Sequence, residues 1–397
     1  MVSQGGTLLA ELRQIPRSLP RDSYASLTHM PADSRRSRPD TAVNGAVAAR
    51  ANWDQAPVKP TIRAVAERAE VAISTVSRVV NGGRASEVIR VRVQRAIDEL
   101  GYTPSIAAQS LVLRRTGCIG LAVNRSTSPW FSQILSGIEQ ALAPGRKSVL
   151  LASMMLKGHY DPAAVLAWIA EGRVDGLILV RYSRRDRPLI EAAQRARLPL
   201  VLIAPDVAAP ADFTVRCNNF EAGGLVAQHL VALGHRRVAF AGGPKESFDT
   251  RQRLEGLREG LSENGIAIEP QALWFGASYS REAGVEYARA FLALAPSERP
   301  TAVVLGNDPM ALGFMRAVLQ QGVSVPADVS VVGFDGTPDG EQFWPGLTSV
   351  LQPTQQMAIS ACEALLERID RRHQEGGTSV EFAVQMLARE STGAPRQ

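Results

Sequence analysis

The chain has 397 residues, enough for two or three domains, and its 45% hydrophobic and 21% charged residues are ordinary for a globular protein. Its net charge of +5 is concentrated in residues 59–116, which contain ten Lys/Arg and five Asp/Glu. The three cysteines lie far apart without a CxxC or Cys/His set, which excludes a disulfide framework and a zinc site and favours a reducing cytosol. No apolar run is long enough to span a membrane, so no membrane partner is expected.

Residues 1–58 are rich in Ser, Pro, Arg, Asp and Ala and show no sustained periodicity. This composition predicts a disordered N-terminal extension, unless the start codon has been placed too early. The segment also lacks the apolar stretch of a secretory signal, so we expect a cytoplasmic protein.

Two short amphipathic segments follow, separated only by Glu70-Val71-Ala72. In the first segment, apolar residues recur at the spacing of one helix face: Ile62, Val65, Ala66 and Ala69. In the second, drawn as a helix, one face carries three valines: Val76, Val79 and Val80. Because three residues leave room only for a tight turn, the pattern predicts a helix-turn-helix, whose second helix enters the DNA major groove.

The other face of the second segment carries small hydroxyl groups, Ile73 and Arg78. Such a face can approach base edges, touch a thymine methyl group and bind phosphate. The pattern also fits a helical hairpin with a polar surface. A third predicted helix, capped by Ser86 and ended by Gly101, favours the DNA-binding interpretation because three such helices can close one small core.

The residues from Thr61 to Pro104 resemble the headpiece of the LacI/GalR family of bacterial transcription regulators. The resemblance rests on the runs TIRAVA, STVSRVVN and LGYTP and continues through nearly all of the chain after residue 58. It implies DNA contacts from the following residues: Thr61, Ile73, Ser74, Thr75, Ser77, Arg78 and Asn81. Two positions depart from the family pattern, since Glu70 replaces a glycine in the turn and Ala72 replaces a serine that caps the second helix.

The resemblance implies that residues 104–116, between the headpiece (59–103) and the rest of the chain, form a hinge that becomes helical on operator DNA. Leu111 then matches a leucine that wedges into the minor groove, where apolar side chains kink DNA. The alternative is a leucine that packs on the next domain.

From Cys118 onward, short apolar runs alternate with helical stretches, which predicts parallel sheets covered on both faces. The runs are Cys118–Val123, 148–151, Gly176–Val180, Leu200–Ile203, 238–240, Ala302–Leu305 and 329–334. They are too many for one small sheet. The resemblance implies a small all-α headpiece followed by a two-lobed α/β effector-binding and dimerisation domain (117–397), similar to periplasmic binding proteins, with two parallel sheets.

Ligands of parallel sheets bind beyond the carboxyl ends of the strands, which selects Asn307 and Asp335. Asp308, followed by proline, is expected to be a helix N-cap instead. The resemblance implies that Arg253, Asn307 and Asp335 hold effector hydroxyls and that Tyr279 stacks on a ligand ring.

Trp130 and Phe131 are candidates to line the other lobe, with packing in the core as the alternative. Ala204 stands where many relatives carry a polar residue. Arg253, Asn307 and Asp335 supply the donors and acceptors that fix vicinal hydroxyls, which predicts a sugar or a sugar acid as the effector. The departure at Ala204 predicts a cleft less acidic than in many relatives, which favours the sugar acid.

Three classes of function are compatible with a two-lobed fold: a ligand-controlled DNA-binding regulator, a solute-binding protein and an enzyme. The headpiece and the missing signal peptide favour a regulator, and more specifically a repressor, over a solute-binding protein. No Ser/His/Asp set, convincing carboxylate pair, phosphate loop or metal cluster supports catalysis, so neither a cofactor nor a metal is expected. One headpiece per chain, without a heptad pattern after Glu390, predicts a homodimer on a near-palindromic operator.

Overall fold

The structure is a computed structural model that describes residues 60–103, 115–124, 128–145, 147–156, 159–207, 210–371 and 377–396. The extension predicted for residues 1–58 and the proposed wedge Leu111 lie outside these ranges, so both stay predictions. No helix in the described ranges is both long and apolar enough to cross a membrane. Within the same ranges, no group of three or more His, Cys, Asp or Glu side chains is arranged to hold a metal ion.

The headpiece consists of three helices, α1 (Ile62–Arg68), α2 (Ile73–Val80) and α3 (Glu87–Leu100). Their inward faces form one small apolar core of Val65, Ala66, Ala69, Val76, Val79, Val93 and Ala96. The helix-turn-helix prediction is therefore confirmed, and α3 ends at Gly101 in the left-handed conformation (φ +60°), which glycine adopts without strain.

The first lobe is built on a six-stranded parallel sheet with the strand order β13-β7-β6-β5-β1-β2. Its strands are β1 (Cys118–Val123), β2 (Ser148–Ser153), β5 (Gly176–Val180), β6 (Leu200–Ile203), β7 (Phe213–Cys217) and β13 (Thr378–Phe382). A small hairpin, β3 (Met155–Leu156) and β4 (His159–Tyr160), follows β2. The helices of this lobe are α4 (Pro129–Leu142), α5 (Ala163–Ala170), α6 (Arg187–Ala196) and α12 (Thr354–Arg371).

The second lobe has another six-stranded sheet, in the order β14-β12-β11-β10-β8-β9, in which only β14 is antiparallel to its neighbour. Its strands are β8 (Val238–Gly242), β9 (Leu273–Phe275), β10 (Ala302–Leu305), β11 (Ser330–Asp335), β12 (Thr348–Leu351) and β14 (Gln385–Leu387). Its helices are α7 (Asn219–Ala232), α8 (Phe248–Ser262), α9 (Arg281–Ala293), α10 (Asp308–Gln320) and α11 (Pro338–Gln342). The prediction of two mostly parallel sheets is confirmed.

The chain passes between the two lobes three times: after β7, between β12 and α12, and between β13 and β14. Two of these connections touch, because the Cys217 thiol donates a hydrogen bond to Gln352 Oε1 at 3.2 Å. Burial raises the pKa of Cys217 to about 12, so its sulfur carries the proton that this bond requires. The carboxyl ends of β1, β5, β6, β8, β10 and β11 open towards the space between the lobes, where the polar side chains collect.

Candidate DNA-binding face and interlobe cleft

Helix α2 turns its polar face away from the headpiece core. Ser74 and Arg78 are exposed, and Ile73 keeps 42% of its surface exposed although it is apolar. Thr75 and Ser77 are half-buried at the edge of this face. The exposed face of α2 is therefore a shallow ridge of small side chains with one long cationic side chain, which suits contacts with base edges in the DNA major groove.

The headpiece arginines fall into two groups. Four of them form ion pairs with acids on or beside α3: Arg68 with Glu99, Arg90 with Glu87, Arg92 with Glu70 and Arg95 with Glu99. Within residues 60–103, Arg63, Arg78 and Arg84 have no ion pair. Arg63 borders the same surface groove as Ile73, together with Glu67 and Glu70. The unpaired cation on the exposed face of α2 itself is therefore Arg78.

The two remaining headpiece candidates have structural partners. Thr61 is the N-cap of α1, and its hydroxyl accepts a hydrogen bond from the Ala64 N–H at 3.3 Å. Asn81 ends α2, and its Nδ2 donates to Ser77 Oγ at 3.3 Å.

Both departures from the family pattern are visible in the turn before α2. Glu70 has φ +53°, the left-handed region that glycine adopts most easily. Ala72 occupies the N-cap of α2 and provides no side-chain acceptor for the first amides.

The six residues predicted to bind an effector all line one cavity of about 810 Å³ between the lobes: Trp130, Phe131, Arg253, Tyr279, Asn307 and Asp335. This volume is typical of small-molecule sites. Trp130 and Phe131 were expected either to line the cleft or to pack in the core, and they do both. Besides lining the cavity, Phe131 is a buried member of the first-lobe core, and Trp130 packs partly against that core.

The prediction that Asp308 caps a helix is wrong, because the cap is its neighbour. Asn307 is the N-cap of α10, and its Oδ1 accepts a hydrogen bond from the Met310 N–H at 3.1 Å. The fully buried Asp308 turns inward and accepts hydrogen bonds from Thr337 N at 2.6 Å and Ser349 Oγ at 2.6 Å. Burial raises the pKa of Asp308 to about 6, although these donors oppose the shift.

Arg253 and Asp335 form the floor of the cavity. Arg253 is 3% exposed; its Nε donates to Asn219 Oδ1 at 2.8 Å, its Nη1 donates to a backbone carbonyl, and its guanidinium lies over the Phe334 ring. Asp335 Oδ1 accepts a hydrogen bond from Gln352 Nε2 at 2.8 Å. Burial raises the pKa of Asp335 well above its ordinary value, and the nearby Arg253 only partly opposes this.

The cleft contains a second set of polar side chains, which was not predicted from the sequence. Arg181 of the first lobe forms an ion pair with Asp249 at the start of α8 in the second lobe, and another with Asp206 at 3.3 Å. Burial raises the pKa of Asp249, but Arg181 and then Arg253 outweigh it, so that the pKa is lowered. The strand-end rule would have found Arg181, directly after β5, and Asp206, shortly after β6.

The cleft is lined by charged side chains of both signs. Ala204 itself is buried, but four carboxylate side chains line the cavity: Asp206, Glu246, Asp249 and Asp335. Exposed arginines, among them Arg184 and Arg185, lie at the mouth of the same cavity. The prediction from Ala204 compares this cleft with those of relatives, so it stays a prediction, and so does the sugar acid.

A helix-turn-helix headpiece joined to a two-lobed sheet domain with a polar cleft defines a ligand-responsive transcription regulator. Family comparisons agree: residues 61–105 match the bacterial regulatory proteins of the lacI family, and residues 227–392 match a periplasmic binding protein-like domain. The HTH-type transcriptional repressor PurR of Photobacterium profundum is 34% identical over 319 residues, which are 79% of this chain and 93% of that protein.

Solved structures with this architecture extend the comparison. A lac repressor dimer bound to operator and the anti-inducer ONPF has 29% identity and a TM-score of 0.72, over 85% of this chain and all of that one. The transcriptional regulator CelR in complex with cellobiose has 31% identity and a TM-score of 0.63, over 84% of this chain and all of that one. The chain belongs to the LacI family of bacterial transcription regulators, and these relatives are repressors and regulators rather than enzymes.

Proposed function

We propose that this protein binds a near-palindromic operator as a cytoplasmic homodimer, without catalytic activity, and that a polyhydroxylated small molecule in the interlobe cleft sets its affinity for the operator. The observation that carries the proposal is the coexistence of an unpaired cationic face on α2 with a cleft lined by hydroxyl-binding groups. Related proteins have been solved with operator, ONPF or cellobiose, which supports both parts.

The headpiece residues divide the work of DNA binding. Ser74, Thr75 and Ser77 are short enough to bring the α2 backbone close to base edges, and Ile73 is placed to contact a thymine methyl group. Arg78 adds a charged fork of donors for a base or a phosphate. Thr61 and Asn81 act mainly by fixing the ends of α1 and α2, with Thr61 near enough to the surface to contact phosphate as well.

The cleft residues supply the groups that fix vicinal hydroxyls. Arg253 donates, Asp335 accepts, and Asn307 and Tyr279 add an amide and a ring face. Since Arg253 and Asp335 belong to the second lobe while Trp130 belongs to the first, a ligand that touches all three distinguishes open from closed lobes. Only such differential binding shifts the equilibrium that the headpieces sense.

An operator is first selected from random DNA with the full-length protein, and the proposal predicts an inverted repeat. Thermal-shift screening of sugars, amino sugars, sugar acids and nucleobases then identifies an effector. Asp335→Ala should abolish the effector response in an operator titration and leave the ligand-free operator affinity within about twofold, because the headpiece is untouched. Selection of no common sequence would contradict the DNA part and favour a solute-binding protein, whereas an unchanged effector response in Asp335→Ala would contradict the cleft part alone.

A further inference from the structure

The Arg181 side chain crosses the cleft in the place where a ligand is expected. It pairs with Asp249 of the other lobe, and its Nη2 lies 3.4 Å from Ser247 Oγ at the start of α8. Its guanidinium also lies over the Tyr279 ring, 5.5 Å from the ring centroid. The Arg181–Asp249 ion pair therefore joins the two sheet lobes directly.

The ring of Tyr279 has little room for an additional partner. The Gly243 backbone lies so close that a Cβ there would come within 2.6 Å of the Tyr279 ring, while the tyrosine hydroxyl lies 2.6 Å from Thr250 Oγ1 and donates to Ser247 Oγ at 2.9 Å. A ligand that stacks on the exposed part of this ring therefore competes with Arg181 for the same surface.

The surroundings of the Arg181 guanidinium are hydrogen-bond acceptors. Asp206 and Asp249 provide carboxylates, and Ser247 Oγ donates a hydrogen bond to Asp206 Oδ1 at 3.0 Å. Asn124, beyond the end of β1 in the same cavity, has a buried Oδ1 that meets no donor within the described residues. Acceptors gathered around a low-dielectric space attract hydroxyl or ammonium donors and repel another carboxylate.

The backbone places Arg181 for this contact. Its φ of +59° is uncommon for a residue with a Cβ, and Asn124 Nδ2 donates to its carbonyl oxygen at 3.2 Å. Burial lowers the pKa of Arg181, but the carboxylates of Asp249 and Asp206 outweigh this and raise it, so the guanidinium stays charged in the cleft.

We propose that Arg181 is a tethered ligand, whose guanidinium fills the acceptor-lined end of the cleft and holds the lobes closed until an effector brings its own donors. This inference rests on the proposed function of the cleft and narrows its ligand to a neutral or amine-bearing polyol. A sugar acid would place its carboxylate against Asp206 and Asp249 once Arg181 had left.

The test measures the separation of the lobes without an effector. Spin labels are placed at Pro188→Cys in the first lobe and Lys245→Cys in the second, both exposed and both beside the cleft, in a Cys118→Ser background. Dilution with unlabelled protein leaves one labelled subunit per dimer. We expect one short distance in this parent protein and a distribution several ångströms longer in Arg181→Ala, because the ion pair between the lobes is gone.

Guanidinium chloride, far below unfolding concentrations, serves as the untethered probe. It should restore the short distance in Arg181→Ala, which retains Asp206 and Asp249, and should fail to do so in Arg181→Ala combined with Asp249→Asn. Arg184→Ala is the matched control, because this exposed neighbour at the cleft mouth forms no ion pair within the described residues, and it should stay closed.

A short distance in Arg181→Ala without guanidinium would overturn the proposal, and so would a long distance that guanidinium leaves unchanged in a folded variant. Gluconate that stabilises the wild type but not Arg181→Ala would also overturn it, because Arg181 would then anchor an acid. Operator titration of the same proteins tests the proposed function independently of the Arg181 proposal. A wild-type protein that does not bind DNA sequence-specifically would contradict the proposed function, whatever the distance between the lobes.

Discussion

The exposed face of α2 and the interlobe cleft are both polar, but their charged groups differ in whether they have partners within the protein. On α2, Arg78 forms no ion pair within the described part of the chain, whereas in the cleft Arg181 is paired with Asp249 and Asp335 with Gln352. Arg78 can therefore contact DNA without breaking an ion pair inside the headpiece. A cleft ligand must exchange partners between two lobes, and this exchange allows small-molecule binding to change the conformation.

Replacing the unpaired cation on the DNA side should produce the largest effect. We expect Arg78→Ala to weaken operator binding about tenfold or more, since loss of one base or phosphate contact costs ~1–3 kcal/mol. Arg95→Ala is the control, because Arg95 is engaged with Glu99 at 2.8 Å on α3. Fluorescence anisotropy at one fixed salt concentration measures both; equal losses would show that α2 is not the face that reads DNA.

Asp335 is the cleft residue whose ionisation should lower the stability of the folded protein. Because burial raises the pKa of this carboxyl, its ionisation destabilises the fold as pH rises from the ordinary range towards the raised value. Asp335→Asn cannot ionise and retains an acceptor for Gln352, so we expect its melting temperature at pH 7.5 to rise by about 3 °C, equivalent to ~1 kcal/mol. The difference from wild type should shrink when the melts are repeated at pH 4; a difference independent of pH would refute the electrostatic explanation.

The start of α2 offers a smaller gain on the DNA side. Ala72→Ser supplies the missing cap and should stabilise the headpiece by ~1 kcal/mol. Amide hydrogen exchange in α1 and α2 reports this as slower exchange. Ser86→Ala is the matched control, since Ser86 caps α3 without a side-chain hydrogen bond and its removal should leave exchange nearly unchanged.

The smallest effect is expected at the turn between α1 and α2. Glu70→Gly removes left-handed strain worth ~1 kcal/mol but loses an exposed ion pair with Arg92 and adds freedom to the unfolded chain. We expect a net gain of a few tenths of a kcal/mol in the same exchange measurement. Glu67→Gly, in the last turn of α1, where the backbone is right-handed, should have the opposite sign and cost up to ~0.5 kcal/mol.

The sequence was informative where neighbours in the chain are neighbours in space. The strands Cys118–Val123, Gly176–Val180, Leu200–Ile203 and Ala302–Leu305 were predicted with their observed bounds, because each is a continuous apolar run between two covered faces. The strands β7 and β13 were not predicted, because Arg216 and Glu381 interrupt their apolar pattern. In the structure these two residues are directly paired across the ladder near the sheet edge. A local pattern cannot reveal such a pairing.

The cleft shows the same limit. Arg253, Asn307, Tyr279 and Asp335 were identified by family position and, in part, by their loops, yet their partners were not. Arg181 and Asp249 are 68 positions apart, and nothing in either local sequence indicates that they meet. The N-cap of α10 was assigned to Asp308 and not to Asn307 for another reason. Both side chains can cap a helix, and only the hydrogen-bond donors of Thr337 and Ser349 decide which one turns inward.

Because the chain passes between the lobes three times, the first lobe can finish folding only late in the synthesis of the chain. The edge of β7 pairs with β13, and α12 packs beneath the first sheet, so the lobe begun at Cys118 is completed only after residue 382 has been made. At ~5–20 residues per second, the interval between synthesis of β7 and of β13 is roughly 8–30 s. During that time an unpaired strand edge is available to chaperones and to other nascent chains. A nascent-chain arrest series should therefore show protease resistance of the first lobe appearing late, after the second lobe has largely emerged.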